Sequence, residues 1–210
     1  MLKIADELNE IVFKSNNSQK GVVSTDLNEC VKKAWYAFNG YNEKPSQFIK
    51  LAQNNKDLVR TWVAENLALK IDECFSEINV GIEGLPDAIG KIDFQIHQNG
   101  TFFIGFVYLP GPSILKFLLN SRKLPTSVYN EIQLLMSWSA ADKAIVVYQT
   151  DRQFKQITLG FNKERADQAS QQMREKYSLV TTSKTAPDAV ELTGWEKQCR
   201  NCQFNYMCRK

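Results

Sequence analysis

No apolar stretch of the 210 residues approaches the ~20 needed to cross a bilayer, so a membrane-spanning protein is not expected. A secretory leader is not expected either. The opening Met1-Leu2-Lys3-Ile4-Ala5-Asp6 is charged where a signal peptide would carry its apolar core. Together these absences point to the cytoplasm. There is no internal repeat and no low-complexity tract. Histidine is reduced to one residue, His97. Charge of one sign is scarce as well: 26 Lys and Arg against 23 Asp and Glu leave a net +3. That bias permits a nucleic-acid partner without requiring one.

What is present suits a single soluble globular domain, with 43% hydrophobic and 23% charged residues and enough length for a sizeable core. Residues 1–20 are amphipathic and then polar, a short helix followed by a loop. Ser24-Thr25-Asp26 can cap a helix that runs through Cys30 to about Asn39, with Gly40 placed to end it. Phe48, Leu51, Leu58, Trp62 and Leu69 fall at roughly helical spacing, predicting a helix over Pro45 to Lys70, with Asn54-Asn55 as a possible break.

The period then changes. Ile78 to Ile82 reads as a strand, and Gly90 to His97 alternates apolar and polar residues. Asn99-Gly100 separates this run from the almost continuously apolar Thr101 to Leu109, a strong hairpin signal. Because the second run is apolar on both faces, it is expected to be central in its sheet. Pro110-Gly111-Pro112 stops it. A helix over Thr126 to Ala140, strands over Lys143 to Gln149 and Phe154 to Leu159, and a polar helix over Asn162 to Tyr177 follow. The rest, Thr181 to Lys210, is irregular. The order predicts a mixed α/β domain: a helical region over 1–75, an α/β core over 76–180 and a tail over 181–210.

The five cysteines are unevenly spread. Cys199-x2-Cys202-x5-Cys208 puts three thiols within ten residues, in a segment too short and polar to form its own core. In a reducing compartment such clusters are more often metal ligands or catalysts than disulfides. A Cys-x2-Cys turn lets two sulfurs face one centre, and the loop after it can return a third. Cys30 is the candidate fourth ligand. Zinc sites usually come as two paired Cys-x2-Cys knuckles, whereas three clustered cysteines and one distant one suit a [4Fe–4S] cluster better. Zinc remains the alternative. Such a centre would close a loop across some 170 residues between the tail and the N-terminal helical region. Cys74 is left over and suits simple core packing.

An N-terminal cysteine in Ser24-Thr25-Asp26-Leu27-Asn28-Glu29-Cys30-Val31-Lys32-Lys33-Ala34-Trp35-Tyr36, the strand Gly90-Lys91-Ile92-Asp93, a helix with Gln133 and the terminal Cys-x2-Cys-x5-Cys occur in one chain. This arrangement resembles the iron–sulfur branch of the PD-(D/E)XK nuclease superfamily, which includes RecB-like CRISPR-adaptation exonucleases and the nuclease domain of the AddAB helicase–nuclease. The resemblance implies a PD-(D/E)XK nuclease-like core, a central mixed sheet flanked by helices, with an N-terminal helical region and a C-terminal metal-cluster tail. It implies DNA, single strands or ends included, as the ligand. A recombination, repair or CRISPR-type complex in a prokaryotic cytoplasm is the setting, and a virus- or mobile-element-encoded copy would look the same.

The family's chemistry uses a His, an Asp and a Glu-x-Lys around Mg²⁺ or Mn²⁺, the metal activating water and neutralising the scissile phosphate. Asp93 matches the Asp. The following strand, however, has Gly105 and Val107 where the Glu and Lys should stand. Arg60 or Trp62 stands near the position of the family's His. His97 is four residues beyond Asp93 on the same strand, roughly 13 Å away at ~3.3 Å per residue, too far to share an ion. The helix motif of Gln followed four residues later by Tyr reads Gln133 and Ser137.

The catalytic set is therefore degenerate, with Asp93 as its remnant, and Glu83, Asp87 and Glu131 are available as substitute carboxylates. Lys32, Lys33, Trp35, Tyr36, Arg122, Lys123, Gln133 and Arg200 are the expected DNA contacts, with Lys197, Arg209 and Lys210 beside the cysteines. The leading expectation is an inactive, DNA-binding iron–sulfur protein of nuclease fold. The alternatives are an active exonuclease with a displaced site and Mg²⁺ or Mn²⁺, and a protein-interaction module using the apolar Leu109 to Leu115.

Overall fold

At Asn99-Gly100 both residues have positive φ, 51° and 73°, as a two-residue type I′ turn between twisted strands requires. The computed structural model in which this turn sits describes residues 22–23, 30–41, 47–69, 71, 73–82, 84–150 and 154–187, with Cys202, Phe204 and Cys208. The turn joins β3 (Leu85–Gln98) to β4 (Thr101–Tyr108). They belong to one mixed sheet with β1 (Val22–Val23), β2 (Cys74–Ile82), β5 (Lys143–Gln149) and β6 (Phe154–Gly160). The helices are α1 (Val31–Phe38), α2 (Gln47–Ala68), α3 (Pro112–Ser121), α4 (Thr126–Ser139) and α5 (Lys163–Thr182).

β4 is central: it runs antiparallel to β3 and parallel to β5, and β6 closes that side antiparallel to β5. β3 organises the other half. Its 14 residues pair antiparallel with β2 from Cys74↔Ile96 to Ile82↔Leu85 along one edge. The opposite edge is shared by two shorter partners, β1 at Ala88–Ile89 and β4 at Phe94–Gln98. Between those pairings, at Gly90–Asp93, this edge has no strand partner among the described residues. The sheet is split there, and Asp93 stands at the lip of the split.

Both faces are covered by helices. Val63 and Ala64 of α2 pack on Phe94, Ile96 and Val107. On the other side Leu118 of α3 and Ile132, Leu135 and Met136 of α4 pack on Ile92, Ile104, Ala144 and Val146. Ile92 thus serves one layer while Phe94 and Ile96 serve the other, so β3 changes sides at Asp93. α4 comes so close to the sheet that a Cβ at Gly90 would lie 2.2 Å from a Leu135 methyl. A third cluster joins α1 (Val31, Ala34, Trp35, Tyr36) to Leu134 of α4, to Ala169 and Met173 of α5, and to Phe204 of the tail.

Several expectations are corrected at element level. Cys30 is extended (φ −157°, ψ 111°) and is the N-cap of α1, so the helix starts after it. Residues 24–29 and the expected helix over 1–20 lie outside the described residues. α2 continues unbroken through Asn54-Asn55, and β2 starts four residues before Ile78. α3 was not expected. Pro112 is its first residue, where the missing N–H and fixed φ of proline suit a helix start.

Candidate functional site

At the split, the Asp93 carboxylate bridges the two strands. Its Oδ2 accepts a 2.7 Å hydrogen bond from the Val107 N–H of β4. The Asp93 side chain thereby closes the opening between β3 and β4 just beyond the last paired residues, Phe94↔Gly105. Oδ1 lies 3.8 Å from Nε of Arg60, which reaches down from α2. That distance is an ion pair rather than a hydrogen bond. The same Nε–H donates to the Val107 carbonyl at 3.4 Å, and Nη1 is 3.5 Å from Oδ1 of Asp57 one turn earlier in α2. A carboxylate so engaged presents few free lone pairs to a divalent ion, which would need several oxygens of its own. Of the two residues named for the histidine's place, Arg60 is the one at Asp93. The other, Trp62, is exposed and stacks on Phe154 of β6, with ring centroids 6.0 Å apart.

The position expected to carry a second carboxylate is occupied in another way. Gly105 is paired with Phe94, and the Phe94 ring lies over it. A Cβ at 105 would meet three ring carbons at 2.0–2.3 Å. Any side chain there, a glutamate above all, collides with a fully buried aromatic ring. Val107, at the lysine position, is buried in the layer beneath α2. Glu83 and the Asp87 side chain lie outside the described residues. His97 is exposed at the far end of β3 and stacks flat on Phe102, centroids 4.5 Å apart and planes 14° apart.

Gln133 has a structural part. It is 0% exposed; its Nε2 donates to the Gly160 carbonyl at 3.0 Å and its Oε1 accepts from the Asn162 N–H at 2.7 Å. Both amide ends are thus engaged by the chain between β6 and α5, and the side chain is not presented to a nucleic acid. Trp35 and Tyr36 are corrected likewise. Both are buried against α5 and Phe204, and the Trp35 indole N–H donates to the Ser183 carbonyl at 2.9 Å. Their faces are core, so base stacking on them is excluded in this arrangement. Lys32 and Lys33 remain partly exposed, and Arg122 and Lys123 are exposed. Cys199 and Arg200 lie outside the described residues.

The cysteines from the two ends of the chain are neighbours. Burial pushes the Cys30 thiol above its ordinary value. The Lys33 and Lys32 backbone N–H groups at the start of α1 pull the other way, and the adjacent Cys202 and Cys208 thiols add to the rise. Lys33 N–H reaches Cys30 Sγ at 3.4 Å. Cys202 packs against the α1 cluster, and Cys208 N–H donates to the Phe204 carbonyl at 3.2 Å. Phe204, fully buried, lies on Tyr36 with ring centroids 5.5 Å apart and anchors this segment. The donors are therefore the right kind and share one neighbourhood. Among the described residues, however, no three His, Cys, Asp or Glu side chains are gathered as a finished metal site. Cys74 is separate and packs beneath α2, as expected of a core thiol.

No family model matches the sequence, and no curated protein matches it. Solved structures do. The crystal structure of SSO0001 superposes with a TM-score of 0.62 at 14% identity, covering 98% of this chain and 96% of that one. The exonuclease LHK-Exo in complex with dAMP gives 0.56 at 9% identity, over 78% and 89%. An alkaline exonuclease structure of LHK-Exo from Laribacter hongkongensis gives 0.53 at 9%, over 81% and 92%. The chain thus has an exonuclease-like fold, a six-stranded central sheet flanked by helices.

Proposed function

We propose that this chain is a nuclease-fold protein that binds DNA without cleaving it, its tail held to α1 by a four-cysteine iron–sulfur centre. The observation that carries the reading is Asp93. The one carboxylate matching the family's metal ligand is engaged by Val107 N–H and Arg60, and the neighbouring strand offers Gly105 under the Phe94 ring. Among the described residues no group of three His, Cys, Asp or Glu side chains is gathered to hold a metal, so metal stabilisation of the phosphate and activation of water have no assembled ligand set there. Arg60, set between Asp93 and Asp57, is the cation at the split, and a guanidinium can hold a phosphate without activating water.

LHK-Exo is seen with dAMP, a deoxynucleotide, and its shared fold supports DNA as the ligand here. Cys30, Cys202 and Cys208, with Cys199, would hold the cluster, which supplies metal–thiolate bonds between the two ends of the chain. The same four residues would suit zinc.

The test is anaerobic purification with iron, sulfide and zinc analysis, followed by DNA binding and Mn²⁺-dependent cleavage assays. Iron and sulfide near ~4 each per chain, DNA binding and no cleavage are expected. Cleavage abolished by Asp93→Ala would overturn the inactive reading in favour of a displaced active site. Zinc in place of iron would overturn the cluster but keep its ligands.

A further inference from the structure

Between Asp93 and Glu131 the chain carries no carboxylate, only the cations Lys116, Arg122 and Lys123. All three lie on or directly after α3 and all are exposed. α3 is an odd helix for a surface. Leu118 is fully buried and Leu115 packs partly beneath it, yet Ile114, Phe117 and Leu119 are 39%, 46% and 44% exposed. Its exposed side chains include both apolar and cationic ones, Ile114, Lys116, Phe117 and Leu119, with Arg122 and Lys123 directly after its last turn.

The backbone that carries two of the cations is fixed. Ser121 Oγ donates to the Phe117 carbonyl at 2.8 Å and accepts from the Lys123 N–H at 3.1 Å. Arg122 is set in the left-handed region (φ 54°) with its N–H on the Leu118 carbonyl at 2.9 Å. α3 begins just after β4, the strand whose Val107 closes the split at Asp93.

We infer that the outer face of α3 is a docking surface for single-stranded DNA, an inference that rests on the DNA-binding reading above. The cations match the phosphates of a polyanion. The apolar side chains interleaved with them specify a single strand, because only unpaired bases offer faces to stack on Phe117 and rest on Ile114 and Leu119. A duplex would meet the same helix with its phosphates and gain nothing from those residues.

The test is fluorescence anisotropy with a labelled oligothymidylate and with a labelled duplex of equal length. Phe117→Ser is expected to weaken oligothymidylate binding about tenfold, one base stack lost, and to leave the duplex affinity unchanged. Ile114→Ser acts in the same direction and serves as a second probe. Replacing Arg122 and Lys123 together by Gln is expected to reduce the slope of log affinity against log salt by about 1.4 on the single strand, ~0.7 for each phosphate contact. Unfolding curves establish that each variant folds. Equal loss on duplex and single strand would overturn the single-strand assignment. DNA binding by the wild type that none of these changes alters would move the face to a protein partner. Tighter binding of oligouridylate than of oligothymidylate would overturn DNA in favour of RNA. A wild type that binds no nucleic acid at all would overturn the underlying reading instead.

Discussion

Phe94 and Gly105 make one unit, a ring with the only residue that leaves room beneath it. Gly105→Ala should therefore cost about 1–3 kcal/mol by overpacking. Combining it with Phe94→Leu should restore part of that loss, a coupling that urea unfolding of the double-mutant cycle measures. Additive losses would mean that the ring gives way easily. The Asp93 clamp separates into its parts in the same assay. Asp93→Asn keeps an oxygen for Val107 N–H and loses only a partly exposed ion pair, worth about 0–1 kcal/mol. Asp93→Ala also strands the N–H and should cost about 1–3 kcal/mol. Asp93 was legible from the sequence through Gly90-Lys91-Ile92-Asp93, and Arg60 was narrowed to one of two residues. The ring over Gly105 was not, because nothing local in a run of apolar residues says which of two neighbouring strands fills a glycine's space.

At the scale of elements, period decided what could be read. The β3–β4 hairpin, the central position of β4 and the bounds of β5 follow from alternation, continuous apolarity and Asn-Gly. β1, two residues long, has too few positions for any period. α3 escaped because Pro-Gly-Pro reads equally well as a stop and as an entry, and because its exposed Ile114, Phe117 and Leu119 break the amphipathic pattern. Gln133 illustrates the opposite error. The resemblance to the family's Gln-x3-Tyr helix motif suggested a ligand contact, and Gln133 joins β6 to α5 instead. Gln133→Leu would leave the Gly160 carbonyl and the Asn162 N–H without their partner. The expected cost is on the order of 3 kcal/mol, seen as a lower urea midpoint. α5, whose N-cap Asn162 accepts from Arg165 N–H, should lose protection from hydrogen exchange first at that end.

For the whole molecule, pH sets a further check. Burial lowers the Lys176 ammonium from its ordinary 10.5. The folded state then binds fewer protons than the unfolded one between the depressed value and 10.5, so this group's contribution to stability rises with pH in that window. At neutral pH it is a net cost. Lys176→Met should accordingly raise the unfolding midpoint near pH 7, with a gain over wild type that shrinks as pH climbs toward 10.5. Cys74 and Tyr108 behave oppositely. Burial raises both, so the protons they keep on folding are lost first by the unfolded chain, and stability falls above about pH 9. A pH series of thermal melts on wild type and Lys176→Met separates the two signs. Phe204→Ala removes a fully buried ring from the α1 cluster and should cost about 3–5 kcal/mol whether or not metal is bound. An equal midpoint for the two chains would mean that the tail contributes little.

The burial of Phe204 among Val31, Ala34, Trp35 and Tyr36 also sets an order of events during synthesis. Those four residues leave the ribosome early, while the ring that completes their cluster is made some 170 residues later, about 10–30 s at ordinary elongation rates. Through that interval the nascent chain carries an unfinished apolar surface, exposed to chaperones or to another copy of itself. A ribosome stalled before residue 204 would hold a chain with its sheet available and this cluster still open.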